Sequence, residues 1–200
     1  MIKRLIFIFL FSVCVFGQNI VCFEIELNPN PQIEPLSFFE KYVNVLDCIH
    51  IYAEGSISDA KVLHAASIAA ELLDNNEDGI IDDINVKNEL MNLYTIMPLF
   101  AYEGSPAEDL LFDNFDNLMS NNNFCAGAVL YNNEISPLSP GFWGDDATVE
   151  EVLHTINACS QIEIYSDIFG LEPNSSQMSN AMDIARGGQF LSIPNEYPEE

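Results

Sequence analysis

The sequence predicts a single α+β domain, mainly helical, with a few short strands and one EF-hand-like helix-loop-helix. Three observations carry that expectation. Residues 59–73 form an almost continuous apolar run at helical spacing, and they lead directly into the acidic loop DNNEDGIIDDIN at residues 74–85. Two short segments rich in apolar and β-branched residues, 45–52 and 126–131, are bounded by turn formers, as strands are.

Taken in order, the chain opens with a targeting pattern. Lys3 and Arg4 precede a run of apolar residues from Leu5 to Phe16 that is too short to span a bilayer, and Val15-Phe16-Gly17 ends in small-residue chemistry suited to cleavage. Residues 1–17 are therefore expected to be a signal peptide, the product secreted, and the membrane not entered. Residues 18–35, which include the proline-rich NPNPQIEP, are expected to form an extended arm, and residues 36–200 one globular domain. An apolar content of 48% with fourteen Phe argues for a packed core.

Charge narrows the partners. Against 31 acidic residues stand 6 Lys and Arg, giving a formal charge of −25. Such a chain repels phosphate and anionic lipid, which excludes nucleic acid, and it attracts divalent cations. Of the five cysteines, Cys14 leaves with the signal peptide. Cys22, Cys48, Cys125 and Cys159 predict two disulfides in an exported protein, with three possible connectivities, and their spacing matches no zinc motif.

Residues 35–43 are read as a short helix and 45–52 as a buried strand, in which His50 is a packed histidine without a functional role. The helix over residues 59–73 is apolar around most of its circumference. His64, Ser67 and Glu71 make one narrow polar stripe on it, which requires hydrogen-bond partners, a metal or a water-filled cleft. After the loop, residues 86–94 form the exit helix, closed before Pro98.

The loop carries the clearest chemistry. An EF-hand loop draws oxygen ligands from positions 1, 3, 5, 7, 9 and 12, with Gly at 6. Asp74, Asn76 and Asp78 occupy positions 1, 3 and 5; Gly79 is at 6, Ile80 offers its carbonyl at 7, Ile81 is the apolar plug and Asp82 stands at 9. Position 12 is Asn85 where a bidentate Glu is usual, which predicts weak affinity or a ligand borrowed from Asp83. A solvated polar turn is the alternative reading. Only one such loop occurs, so a paired, calmodulin-like sensor has little support.

A second chemical stretch is GDDATVEEVLHTINACSQI. Thr148 and Glu151 have the spacing of a capping box, Val149, Val152, Leu153 and Ile156 make one apolar face, and Glu150, Glu151 and His154 face the other way. Glu150 and His154 lie i, i+4, a spacing at which a helix can offer a carboxylate and an imidazole to one metal or substrate; a cap, a first-turn acid and a solvated histidine explain the same residues. Further on, Asn174-Ser175-Ser176 is a glycosylation sequon, and Arg186 precedes a Gly-Gly stop.

Together, LHAASIAAELLDNNEDG, DATVEEVLHTINACSQIEIYSDIFG and AMDIARGGQF with IPNEYPEE resemble an uncharacterised family of exported proteins with a DNDEDG-type loop, an EEVLH helix and an ARGG turn before a YP motif. The resemblance spans most of residues 58–200 and implies no particular activity. Members of that family continue past the YP motif into an aromatic and cysteine-rich segment.

Three functional expectations result. The first is a secreted calcium-binding protein whose loop is mainly structural, with Asp74, Asn76, Asp78, Ile80 and Asp82 as ligands. The second is a metal-dependent, peptidase-like hydrolase: His64, Glu71 and His154 would hold a second metal such as zinc, with Glu150 or Glu151 as ligand or general base. An acidic matrix or adhesion component is the third.

Overall fold

The computed structural model describes residues 23–138, 146–172 and 175–187. The signal peptide, Cys22, Asn174 of the sequon, the side chain of Arg186 and the segment containing the YP motif lie outside the described residues. The expected fold class is found: one α+β unit built on a five-stranded sheet, ordered β1-β2-β3-β4-β5.

Strand β1 (Glu26–Leu27) pairs antiparallel with β2 (Phe39–Val45), and β2 with β3 (Ile49–Glu54). Leu46 and Asp47 both take positive φ, with Cys48 N–H bonded to Val45 O at 3.0 Å, the arrangement of a type I′ hairpin turn. Residues 39–43, read above as helical, are therefore strand. The stretch expected to be an arm is fastened to the sheet through β1, and Asn28 Nδ2 donates to Leu36 O and Phe39 O at 2.7 and 2.9 Å.

From β3 the chain passes through α1 (Asp59–Leu73) and α2 (Ile84–Asn92) to β4 (Thr95–Phe100), which lies parallel to β3. It then crosses through α3 (Pro106–Asp113) and α4 (Phe115–Asn122) to a short parallel β5 (Leu130–Tyr131). Every residue of β4 is buried, as expected of a strand covered on both faces. Pro98 sits in its middle, a position from which prolines are normally excluded. Ile96 N–H donates to Cys125 O, so residue 98, two further on, presents its nitrogen to the same neighbour, where 126–129 make no ladder. Proline's missing donor is not needed there.

Two cores result. On one face Val43, Ile51, Met97 and Leu99 pack with Val62, Ala66 and Ala69 of α1, Leu90 of α2, and Val152 and Ile156 of α5 (Thr148–Ile156). On the other face Phe39, Tyr52, Ile96 and Phe100 pack with Ala107 and Leu111 of α3 and Leu118 of α4. The two crossovers advance the sheet in the same direction on opposite faces, so they have opposite hands and one is the uncommon left-handed form.

Helix α5 continues through a π-turn, Asn157–Gln161, into α6 (Ile162–Ile164); α7 (Ser166–Phe169) and α8 (Gln177–Gly187) follow. Its position is fixed from below. Cys125 and Cys159 form a disulfide, and a Cβ on Gly127 would stand 2.7 Å from both His154 O and Thr155 Cα, so only glycine admits the helix this close. Cys48, expected in a second bridge, is a buried free thiol that donates to Val45 O, and burial pushes its pKa up to about 12. No helix among the described residues is long and apolar enough to cross a membrane.

Candidate functional site

The loop between α1 and α2 is folded around its own acidic side chains. Asp74, the C-cap of α1, is only 4% exposed, and its carboxylate accepts Asp78 N–H at 3.2 Å and Gly79 N–H at 2.7 Å. Asn76 Oδ1 also accepts Asp78 N–H, at 3.0 Å, and Asp78 Oδ1 accepts Ile80 N–H, at 2.9 Å. Gly79 has φ +82°, a conformation glycine adopts without strain, and Ile81 is buried while Ile80 is exposed. Asp82 closes the loop by accepting Asn75 N–H and Nδ2, both at 3.0 Å; these bonds hold its carboxyl below the usual range.

Asp83 and Asn85 are committed elsewhere. Asp83 caps α2 by accepting Asn85 N–H at 2.9 Å and Val86 N–H at 3.3 Å, and it accepts a hydrogen bond from the Tyr165 hydroxyl at 2.8 Å. Burial raises its pKa, but these three donors outweigh that effect and hold the carboxyl low. Asn85 Nδ2 donates to the same hydroxyl at 3.2 Å. Tyr165 thus ties the loop's exit to the segment after α6, a link between residues 82 apart that sequence inspection missed.

The second candidate set is divided between partners. His64 Nε2 lies 2.7 Å from Asp146 Oδ2, whereas His154 Nε2 lies 3.8 Å from Glu150 Oε1 with both side chains largely exposed. Ser67 and Glu71 face solvent, so the polar stripe of α1 is an exposed edge except at His64. Ser67 Oγ bonds back to Leu63 O at 2.9 Å. Glu151 is half-buried; burial raises its pKa, His154 opposes this, and Glu150 and Glu134 add to it. Among the described residues, no three His, Cys, Asp or Glu side chains gather into a group able to hold a metal ion. An EF-type loop draws in addition on Asn and backbone oxygens, which lie outside that set.

Asp146 is the residue sequence reading overlooked. It accepts Thr148 Oγ1 at 2.6 Å, Thr148 N–H at 3.2 Å and Ser136 N–H at 3.3 Å, besides binding His64. Burial works to raise its pKa, but these bonds hold it below the usual range. Thr148 is accordingly the first residue of α5 and not its cap, and the expected capping box with Glu151 does not form. The signal was present in the doubled Asp before Ala-Thr, an acid two residues ahead of a helix start.

A groove of about 680 Å³ lies along α5 and the π-turn, with Phe169 of α7 and Met178 of α8 also in its lining. Val149 and Leu153, read as part of one apolar face, line it at 40% and 47% exposure; only Val152 and Ile156 of that face are buried. At the sheet's carboxyl end, where the chain leaves β3 and β4 toward opposite faces, open α/β sheets often bind ligands. Here Glu54 accepts Ala101 N–H and Ser105 Oγ at 2.9 and 2.8 Å, and buried Glu108 accepts Gly104 N–H and the Tyr131 hydroxyl, so these carboxylates bond to the chain itself.

The described residues form an α+β protein in which α1 and α2 are joined by one acidic, internally hydrogen-bonded loop. No protein-family profile, curated protein or solved structure matches the chain significantly.

Proposed function

We propose that this is a secreted calcium-binding protein in which loop 74–85 holds one ion in a mainly structural role. The observation that carries the reading is Asp74. It is a nearly buried carboxylate at the C-terminus of a fifteen-residue helix, where the helix dipole is negative, and no basic residue stands in the last turn to offset it. Asp78 and Asp82 follow in the same loop. A cation bound through Asp74, Asn76, Asp78, the Ile80 carbonyl and Asp82 compensates that concentration of negative charge. The loop's N–H bonds to Asp74, Asn76 and Asp78 orient these side-chain oxygens within one turn of chain. With Asp83 and Asn85 engaged by α2 and Tyr165, no carboxylate fills the twelfth position, and the affinity is of extracellular grade, with Kd on the order of 10⁻⁴ to 10⁻³ M.

The test is calorimetric titration of the full chain with millimolar calcium, alongside Asp74→Ala. Heat of binding that is present in the natural protein and lost in the variant supports the proposal. Heats near zero in both remove it. At one hundred times Kd, calcium is expected to add about 2.7 kcal/mol to stability.

A further inference from the structure

A hydrogen-bonded chain joins the buried His50 to the N-terminal stretch that lies on the sheet, on the face away from α1 and α5. His50 Nδ1 and the Tyr42 hydroxyl are 2.7 Å apart. The Tyr42 hydroxyl is in turn hydrogen-bonded to that of Tyr94, and the Tyr94 and Tyr52 hydroxyls are 3.0 Å apart. Asn30 ends the chain: its Nδ2 donates to the Tyr52 hydroxyl at 2.7 Å and to the Tyr94 hydroxyl at 3.1 Å. The stretch is also closed on itself, with Asn28 Oδ1 accepting Asn30 N–H at 2.7 Å and Asn30 O accepting Ile33 N–H at 3.1 Å. Tyr94 is held at φ +38°, a region that non-glycine residues rarely occupy and in which strained functional positions are found.

Counting protons fixes the direction in which this chain runs. Both amide protons of Asn30 go to hydroxyl oxygens, and each of the three hydroxyls has one proton of its own to place. Two of those three serve the Tyr52–Tyr94 and Tyr94–Tyr42 links. The third cannot point at the Asn30 amino group, itself a donor, so Tyr42 donates it to His50 Nδ1. The imidazole is therefore neutral, with its proton on Nε2.

A proton arriving at Nδ1 turns this acceptor into a donor. Tyr42 must then donate to Tyr94 and Tyr94 to Tyr52, which leaves the Tyr52 proton directed at the Asn30 amino group. Two donors face each other there, and Asn30 has to turn its amide or leave. Turning exchanges two donated bonds for one accepted bond. The other groups around the ring offer no alternative route. Tyr42 and Asn44 flank it from β2, and Tyr94 and Ile96 from the β4 side. Among the described residues Asp47 of the hairpin turn is the charge that acts on His50, while Asp47 and Glu26 of β1 act on Tyr42.

We propose that His50 and the three tyrosines form a proton-operated latch, in which protonating Nδ1 releases residues 28–33 from the sheet. His50, read from the sequence as packing alone, thereby acquires a conformational role, one that stands apart from the calcium site. Burial keeps the closed imidazole down at about 4 against an ordinary 6.5. With the ordinary value restored on opening, the open population rises about thirtyfold from pH 7.5 to 5, which is the ceiling of the effect.

Two measurements on the full chain test the latch. Nitrogen NMR of histidine-labelled protein at pH 7.5 is expected to show His50 as the Nε2–H tautomer; the Nδ1–H tautomer would overturn the proposal. Hydrogen exchange, expressed as protection factors, is then compared at pH 7.5 and 5. Protection of residues 28–33 is expected to stay below that of β4 and to fall at least fivefold, while that of α8, which packs on α7, is unchanged. Tyr42→Phe breaks the chain but leaves His50 buried, so β4 is expected to keep its acid dependence while residues 28–33 lose theirs. His50→Phe is expected to remove both. A smaller fall in the natural chain would overturn the latch. So would acid dependence of residues 28–33 that persists in Tyr42→Phe, since opening would then act by wetting the ring and not through the hydroxyls.

Discussion

His50 makes the protein acid-sensitive between about pH 6.5 and 4. Its ring lies between Tyr94, 4.0 Å away between centroids at 12°, and Tyr42, 5.9 Å away at 14°, and its Nδ1 shares a hydrogen bond with the Tyr42 hydroxyl at 2.7 Å. The side chain is 9% exposed. Burial lowers its pKa from 6.5 to about 4, and only Asp47 pulls in the opposite direction. The folded form therefore keeps the imidazole neutral while the unfolded chain protonates near 6.5. Stability is full above pH 6.5, falls as the pH drops and levels off near 4, because over that interval the unfolded state binds the extra proton. The gap corresponds to about 3 kcal/mol, of which 2 to 3 kcal/mol is lost by pH 4.5; that is a large part of the stability of an ordinary domain.

The assay is urea unfolding followed by circular dichroism at pH 7.5, 6, 5 and 4.5 for the natural chain and for His50→Phe. Phenylalanine keeps the stacked ring and removes the titration, at a roughly pH-independent cost of about 1 kcal/mol for the lost Tyr42 bond. With m near 2 kcal/mol/M, the midpoint of the natural protein is expected to fall by about 1 M more than that of the variant between pH 7.5 and 4.5. The low-pKa carboxylates Asp83 and Asp146 lose their contribution at lower pH in both proteins, so they cancel in the difference. Parallel pH profiles for the two proteins would refute the reasoning.

Gly127→Ala is expected to cost about 1 to 3 kcal/mol in chemical denaturation, since the added methyl meets the backbone of His154 and Thr155 and the Cβ of Ala158 within 2.8 Å. Asp146→Ala removes the acceptor for four hydrogen bonds at the start of α5 and should lower stability by about 2 to 3 kcal/mol, whereas His64→Ala, which leaves the Thr148 and Ser136 bonds in place, should cost about 1 kcal/mol. In hydrogen exchange, chelation by EGTA is expected to deprotect residues 70–86 while leaving 148–161 protected; equal loss across both would show that the loop and α5 do not open separately.

Much of this fold was legible because local and tertiary preferences agree. The helices at α1, α2 and α5 follow from apolar periodicity and turn chemistry, and the acidic loop follows from its own offsets. Strand β2 was misread for a specific reason. A register shift between Phe39 and Lys41 breaks the alternation, so the buried residues Phe39, Tyr42, Val43 and Val45 fall at near-helical spacing. Strand β4 was missed because of Pro98, which is tolerated only where 126–129 leave a gap in the ladder. Neither exception can be seen without the neighbouring strand. The same holds at the candidate sites: the positions of Asp74, Asn76, Asp78 and Asp82 are a local pattern, but the pairings of His64 with Asp146 and of Asp83 with Tyr165 each join residues 82 apart.

These two long-range pairs explain why the acidic loop and the groove can share one small fold without sharing one response. Helix α1 reaches α5 through its middle, where His64 meets Asp146, and the loop at its far end reaches the segment after α6 through Tyr165. Between those links, the wall of the groove is held by contacts that do not involve the loop: Val152 and Ile156 in the sheet core, the Cys125–Cys159 bond, and the close seat on Gly127. The loop has no comparable anchorage. Apart from Asp74 and Ile81 it is mostly exposed, and its internal bonds run chiefly between carboxylates and nearby backbone N–H groups. A cation would therefore act mainly where the negative charge is least offset, around Asp74 at the end of α1, and its loss would loosen that end first. The disulfide and the core residues of α5 would keep the groove's shape through such a change.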